Sequence, residues 1–196
     1  MLRWNSSKPE RRKPTDGIAA NDMKTFVIAD THFGHQGVCH FLRADGTKLR
    51  PWDDAGQMDR DMVQYWNSTV APNDRVHILG DVAIARRHLN TLSLLNGRKV
   101  LIKGNHDIFK LKDYAPYFDD IRAYKVFRLH SGKQGIMSHI PVHPASLGDR
   151  FAINIHGHLH SNVVLDNDAP DPRYVCVSAE HTNYRPLDLN TIINDK

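Results

Sequence analysis

Val100-Leu101-Ile102-Lys103-Gly104-Asn105-His106-Asp107 is an apolar run that breaks, at a glycine, into side chains able to bind metals or move protons. The same order recurs along the chain. Thr25-Phe26-Val27-Ile28-Ala29 leads into Asp30-Thr31-His32, and Val76-His77-Ile78-Leu79 leads into Gly80-Asp81. Gly135-Ile136-Met137 leads into Ser138-His139, and Ala152-Ile153-Asn154-Ile155 precedes Gly157-His158-Leu159-His160. Short apolar runs bounded by glycine and polar residues read as strands. Strand ends on one edge of a sheet gather such patches into a single pocket. Carboxylate, amide and imidazole groups, with no thiolate among them, suit divalent first-row metals. This is the layout expected of a two-metal hydrolase.

Outward from these patches, residues 57–67 place Met58, Met62, Tyr65 and Trp66 on one helical face, and residues 86–96 carry Leu89, Leu92 and Leu95 at similar spacing. Asn96-Gly97 closes that second helix with a C-cap glycine. Helices between strands argue for parallel crossovers in the first half. In the second half, strands over 124–129, 135–138, 152–155 and 173–178 are joined by loops, which suits a more antiparallel sheet. Ser131-Gly132-Lys133 reads as a hairpin turn.

The 196 residues, 40% of them hydrophobic, fit one domain with a real core. Residues 1–22, with Lys8, Arg11, Arg12 and Lys13, read as a flexible basic arm, and 23–196 as a single domain. Translation from Met23 is an open alternative. No apolar run approaches the ~20 residues of a membrane span, and the start lacks a signal-peptide core. Cys39 and Cys176 make no disulfide framework, so a reducing cytoplasm is the expected setting. A net charge of +4 suits an anionic substrate but comes with no long basic stripe.

Asp30 and His32, two apart on an extended strand, would point the same way and share one ion. Asp81 has two oxygens and could bridge two cations, with Gly80 leaving room for close approach. Asn105 offers an amide oxygen. His106 would point past the metal toward substrate as a general acid, with Asp107 orienting its imidazole. His158 and His160 repeat the two-residue spacing. His156 lies deeper in its strand and reads as a core residue; His40, His77, His88, His130, His143 and His181 take the same reading.

The combined order D-x-H, G-D, G-N-H-D, H, G-H-x-H over residues 30–160 resembles the calcineurin-like metallophosphoesterase superfamily. Asp30-Thr31-His32-Phe33-Gly34-His35 and Ser138-His139-Ile140-Pro141 resemble its small bacterial and phage members. Val82-Ala83-Ile84 after Gly80-Asp81 departs from the V-D-R-G run of the Ser/Thr protein phosphatases. The resemblance implies a β-sandwich of two mixed sheets flanked by helices, in the α/β class. It assigns Asp30, His32 and His160 to one metal, Asn105, His139 and His158 to a second, Asp81 to both, and proton donation to His106. It implies two divalent ions, manganese favoured over iron, cobalt, nickel or zinc.

The expected reaction is phosphodiester hydrolysis by metal-bridged hydroxide attack, on cyclic or short nucleotides or other small diesters. His35 and Arg50 are the candidate phosphate contacts. Alternatives are a DNA or RNA nuclease, a phosphomonoesterase, or a non-catalytic metal-binding interaction scaffold; the presence of His106 and every ligand favours an enzyme.

Overall fold

The computed structural model describes residues 23–194; the basic arm expected over 1–22 lies outside the described residues. Among the described residues eleven strands run in chain order. They are β1 Thr25–Ile28, β2 Arg75–Ile78, β3 Arg98–Ile102, β4 Asp120–Arg122, β5 Lys125–Arg128 and β6 Gln134–Met137. β7 Phe151–His156, β8 Leu165–Asp166, β9 Ala169–Pro170, β10 Tyr174–Cys176 and β11 Leu187–Asp188 follow. One sheet has the order β11-β1-β2-β3-β4, a second β10-β7-β6-β5, and β8 pairs with β9 alone.

β1 through β4 pair in parallel and β11 closes the edge antiparallel. The crossovers expected in the first half are therefore present. The second sheet corrects the expectation of a more antiparallel one. Only β5 and β6, joined through the Ser131-Gly132-Lys133 turn, are antiparallel; β6–β7 and β7–β10 are parallel. That direction is what delivers the ends of β6 and β7 to the same rim as those of β1, β2 and β3.

Strand alternation divides the core. Phe26 and Ile28 of β1, with Val76, Ile78 and Leu101, face a helical layer made by Met58, Met62, Trp66, Leu89 and Leu92. Val27 and Ala29 point the other way, joining Leu79, Ile102, Met137, Ile153 and Ile155 between the sheets. Ile136, Leu147 and Tyr174 cover the outside of the second sheet. The result is a two-sheet sandwich with helices outside, in agreement with the implied fold class.

The helix α1, Ala55–Thr69, begins two residues before its expected start because the Asp54 side chain accepts from Gln57 N at 2.8 Å. Each of its buried Met58, Met62 and Trp66 side chains contributes about 1.5–3 kcal/mol by burial. The helix expected over 86–96 is instead a 3₁₀ segment, Arg86–Leu94. Leu89, Leu92 and Leu95 repeat every three residues, which is the 3₁₀ period and lines all three on one face. Among the described residues, a 3₁₀ helix at Gln36–Cys39 and three short α-helices, α2 Leu111–Tyr114, α3 Pro144–Leu147 and α4 Leu189–Ile193, complete the fold. Among the described residues no helix is long and apolar enough to cross a membrane.

Candidate functional site

All seven expected ligands converge at one rim. Asp30, His32 and His160 offer ligand atoms within 4.8 Å of one another, and so do Asp30, Asp81 and His139. His139 Nε2 lies 2.8 Å from Asn105 Oδ1 and 3.3 Å from Asp81 Oδ2. His158 Nδ1 lies 3.0 Å from the same Asn105 oxygen, and His32 Nε2 lies 3.8 Å from Asp81 Oδ2.

The backbone reaches this arrangement by a route the two-residue spacing does not reveal. β1 ends at Ile28, so Asp30 and His32 are not on a strand. Asp30, His32, Asp81, His158 and His160 all have φ between +49° and +70°. Five side chains of the cluster thus sit on left-handed backbone, a conformation that costs energy for non-glycine residues and concentrates at functional sites. The turns, rather than an extended pleat, aim Asp30 with His32 and His158 with His160. Gly80 and Gly104 let their two loops touch. A Cβ on Gly80 would stand 2.5 Å from His139 Nδ1 and 2.6 Å from Gly104 Cα; one on Gly104 would stand 2.2 Å from Asp81 Oδ1.

The donor set fits divalent cations. Asp30 Oδ1 and both ring nitrogens of His32 are buried without a hydrogen-bond partner. Burial first, then Arg50 and His160, hold His32 far below the usual imidazole range, so its lone pair stays free. His139 Nδ1–H donates to Leu79 O at 2.8 Å, which fixes the tautomer and turns the Nε2 lone pair toward Asn105 and Asp81. Three electron-rich atoms then face one another, and only a proton or a cation between them relieves the repulsion. Protonation is favoured accordingly. Burial lowers the His139 pKa, but Asp81 and Asp30 raise it above normal overall. Burial pushes the Asp81 carboxyl up, and His139 more than offsets this to hold it below normal. Metal ligation replaces such protons.

Three neighbours position the cluster and carry no motif of their own. Ser178 Oγ donates to Asp30 Oδ2 at 2.7 Å, and His158 N donates to the same oxygen at 2.9 Å. Glu180 Oε1 accepts from His160 Nδ1 at 3.1 Å and from Arg50 Nε at 2.7 Å. Burial raises the Glu180 pKa, but Arg50 and His160 outweigh it and bring it to about 2. Arg50 also donates to Thr31 O at 3.0 Å and Asp30 O at 2.5 Å, bracing the first left-handed turn. Ser178 and Glu180 are legible in retrospect. Tyr174-Val175-Cys176-Val177 is one more apolar run that ends in polar residues, Ser178-Ala179-Glu180.

Two expectations are corrected. Arg50 is fully buried behind the ligands and directs its donors at protein atoms, so it does not contact a phosphate from the open side. Asp107 does not orient His106. It is buried and accepts from Gly104 N, Asp81 N and Val82 N at 2.8, 2.9 and 3.1 Å, tying two ligand loops together. His106 itself is exposed, with its ring 5.8 Å from that of His32 and its backbone N–H donating to Asp81 Oδ1 at 2.8 Å. His35 is half-buried, with its ring 5.3 Å from His32 and 5.7 Å from Phe41. Of the histidines read as core residues, His77 and His156 are buried, whereas His40, His130, His143 and His181 are exposed.

Two grooves flank the cluster. One of about 370 Å³ runs from His158 and His160 past Phe41, Leu42 and Leu159. The other, of about 430 Å³, runs from Asn105 and His139 past Tyr124, Ile140 and Val142.

No family model matches the chain. It is similar to Gene 66 protein of Mycobacterium phage D29, 29% identical over 205 residues, covering 87% of this chain and 96% of the phage protein. In structure it is similar to the protein of unknown function AQ665 from Aquifex aeolicus, with a TM-score of 0.64 at 25% identity, covering 89% of this chain and all of that one. Uncharacterized protein MJ1445 of Methanocaldococcus jannaschii is 30% identical over 176 residues, covering 87% of this chain and 89% of the archaeal one. At that identity and coverage, the chain belongs to the same family as this archaeal protein.

Proposed function

We propose that this protein is a metal-dependent phosphoester hydrolase of the calcineurin-like metallophosphoesterase superfamily that acts on phosphodiesters. The supporting observation is the convergence of seven oxygen and nitrogen donors around Asp30 Oδ1 and His32 Nε2, which are buried and have no partner. In this reading Asp30, His32 and His160 would hold one divalent ion and Asn105, His139 and His158 another, with Asp81 available to both. Bound there, such ions polarise phosphoryl oxygens and acidify water. Manganese is favoured; iron, cobalt, nickel and zinc suit the same mixed oxygen and nitrogen set.

The chain's own groups do the rest. Leu79 O and Glu180 Oε1 each accept the far ring N–H of a ligand histidine and hold it in one tautomer. Asp81 accepts the His106 backbone N–H and so places that imidazole at the mouth. There His106 gives its proton to the leaving oxygen. A groove on either side of the ligands gives each arm of a diester a place, which is why a diester is favoured over a monoester. Two free cysteines, Cys39 and Cys176, suit the reducing cytoplasm proposed as its location.

Turnover of bis-p-nitrophenyl phosphate and p-nitrophenyl phosphate by manganese-loaded protein tests the reading. The expected result is faster hydrolysis of the diester, abolished by EDTA. Preference for the monoester would replace diesterase by monoesterase. Full metal occupancy with no turnover of either would favour a scaffold.

A further inference from the structure

A second concentration of charge lies along β2, β3, β4 and β5, on residues outside the metal cluster. The β2–β3 register sets Arg75 beside Arg98 and His77 beside Val100, and the β3–β4 register sets Val100 beside Asp120 and Ile102 beside Arg122. Strand alternation puts all of these on the face turned toward the second sheet. Lys125 of β5 reaches across, with Nζ 2.8 Å from His77 Nε2. With Asp119, these residues other than Ile102 line a cavity of about 340 Å³ that shares no residue with the metal cluster or its grooves.

The charges in this cavity do not balance. Arg98 is paired with Asp119 at 2.7 Å and Arg122 with Asp120 at 2.5 Å. Arg75 and Lys125 are in ion-pair contact with no carboxylate among the described residues. The group that Lys125 does contact supplies no negative charge. Burial first, then Lys125, Arg75 and Arg122, bring His77 down to about 3, so it is neutral. With Nε2 accepting from the ammonium, Nδ1 carries the ring proton, and Nδ1 is buried with no acceptor. Four cationic side chains, two of them uncompensated, thus surround an unsatisfied imidazole N–H that is almost wholly buried.

We infer that this cavity binds a phosphoryl-type oxyanion, either free phosphate or the phosphoryl end of a small phosphomonoester. A tetrahedral oxyanion accepts two parallel N–H bonds from a guanidinium fork and takes an ammonium as a point charge. Arg75 and Lys125 supply those two elements, and Arg98 and Arg122 add field from the rim. The cavity far exceeds the ~30 Å³ of a water molecule, which leaves room for part of what the phosphoryl group is attached to. The site is independent of the metal centre and stands whether or not the hydrolase reading does.

Calorimetric titration of metal-loaded protein with inorganic phosphate, and with methylphosphonate as a non-hydrolysable analogue of a phosphomonoester, tests this at fixed ionic strength. Wild type and Asp81→Asn should both show saturable binding. Arg75→Gln and Lys125→Met should each weaken it at least tenfold, with circular dichroism confirming that both variants are folded. Retained affinity for methylphosphonate would assign an esterified phosphoryl group, and its loss would assign free phosphate. Unaltered binding in both folded variants, disappearance of binding in Asp81→Asn alone, or no saturable binding in wild type would each overturn the proposal.

Discussion

Glu180 Oε1 accepts the Nδ1 proton of His160 at 3.1 Å. The same oxygen accepts from Arg50 Nε, and Arg50 in turn holds the carbonyls of Asp30 and Thr31. One Arg50–Glu180–His160 chain of contacts therefore braces cluster residues far apart in sequence. Glu180→Gln should lower metal affinity about 10–100-fold, as loss of a ligand-orienting carboxylate does elsewhere. Metal titration of the variant checks this; wild-type affinity would show that Glu180 does not orient His160. Arg50→Ala removes the partner of a buried carboxylate and should cost about 3–5 kcal/mol of stability in urea denaturation.

His106 hydrogen-bonds the cluster through its backbone N–H, and its exposed ring lies 5.8 Å from that of His32 at the mouth. His106→Ala should keep its metals and lose about 10²–10⁴ in turnover on a diester with a poor, alkoxide-type leaving group. The loss should be far smaller with p-nitrophenolate, which needs little protonation. Equal losses on both substrates would remove His106 as proton donor.

Asp107 offers a different test because it binds three backbone N–H groups and not His106. Asp107→Asn turns an amide donor toward one of those donors and should destabilise the fold by about 1–3 kcal/mol. The pH profile of turnover in the folded variant should keep its shape. A shifted limb in that profile would restore Asp107 as a partner of His106.

His77 makes stability depend on acid. Its folded pKa is depressed from 6.5 to about 3, so below pH 6.5 the unfolded chain binds a proton that the folded chain refuses. Stability is therefore lost as pH falls from 6.5 toward 3, by an amount on the order of 4–5 kcal/mol. His77→Gln should make urea stability fall less steeply across that window. An unchanged slope would mean that His77 titrates normally in the folded protein.

That these seven side chains come together was legible because each follows closely on an apolar run, so local pattern alone gathers them at strand ends. How they are aimed was not legible. Asp30, His32, His158 and His160 look like extended pairs but occupy left-handed turns, and nothing in a D-x-H spacing reports φ. The direction of β7 was equally hidden. A hairpin turn is a local signal, whereas the parallel β6–β7 pairing is set by a long connection through α3. Arg50 was read as a phosphate contact because a cation in a loop near the cluster suits an oxyanion. Its burial depends on Glu180, 130 residues away.

Metal content tests the central claim most directly. Protein reconstituted with manganese and freed of excess ion should hold two equivalents per chain by elemental analysis. Asp81→Asn should hold one or fewer, because Asp81 Oδ2 lies 3.8 Å from His32 Nε2 and 3.3 Å from His139 Nε2, one histidine of each proposed group. Two equivalents that survive unchanged in Asp81→Asn, or none in wild type, would contradict a dinuclear centre built from these residues.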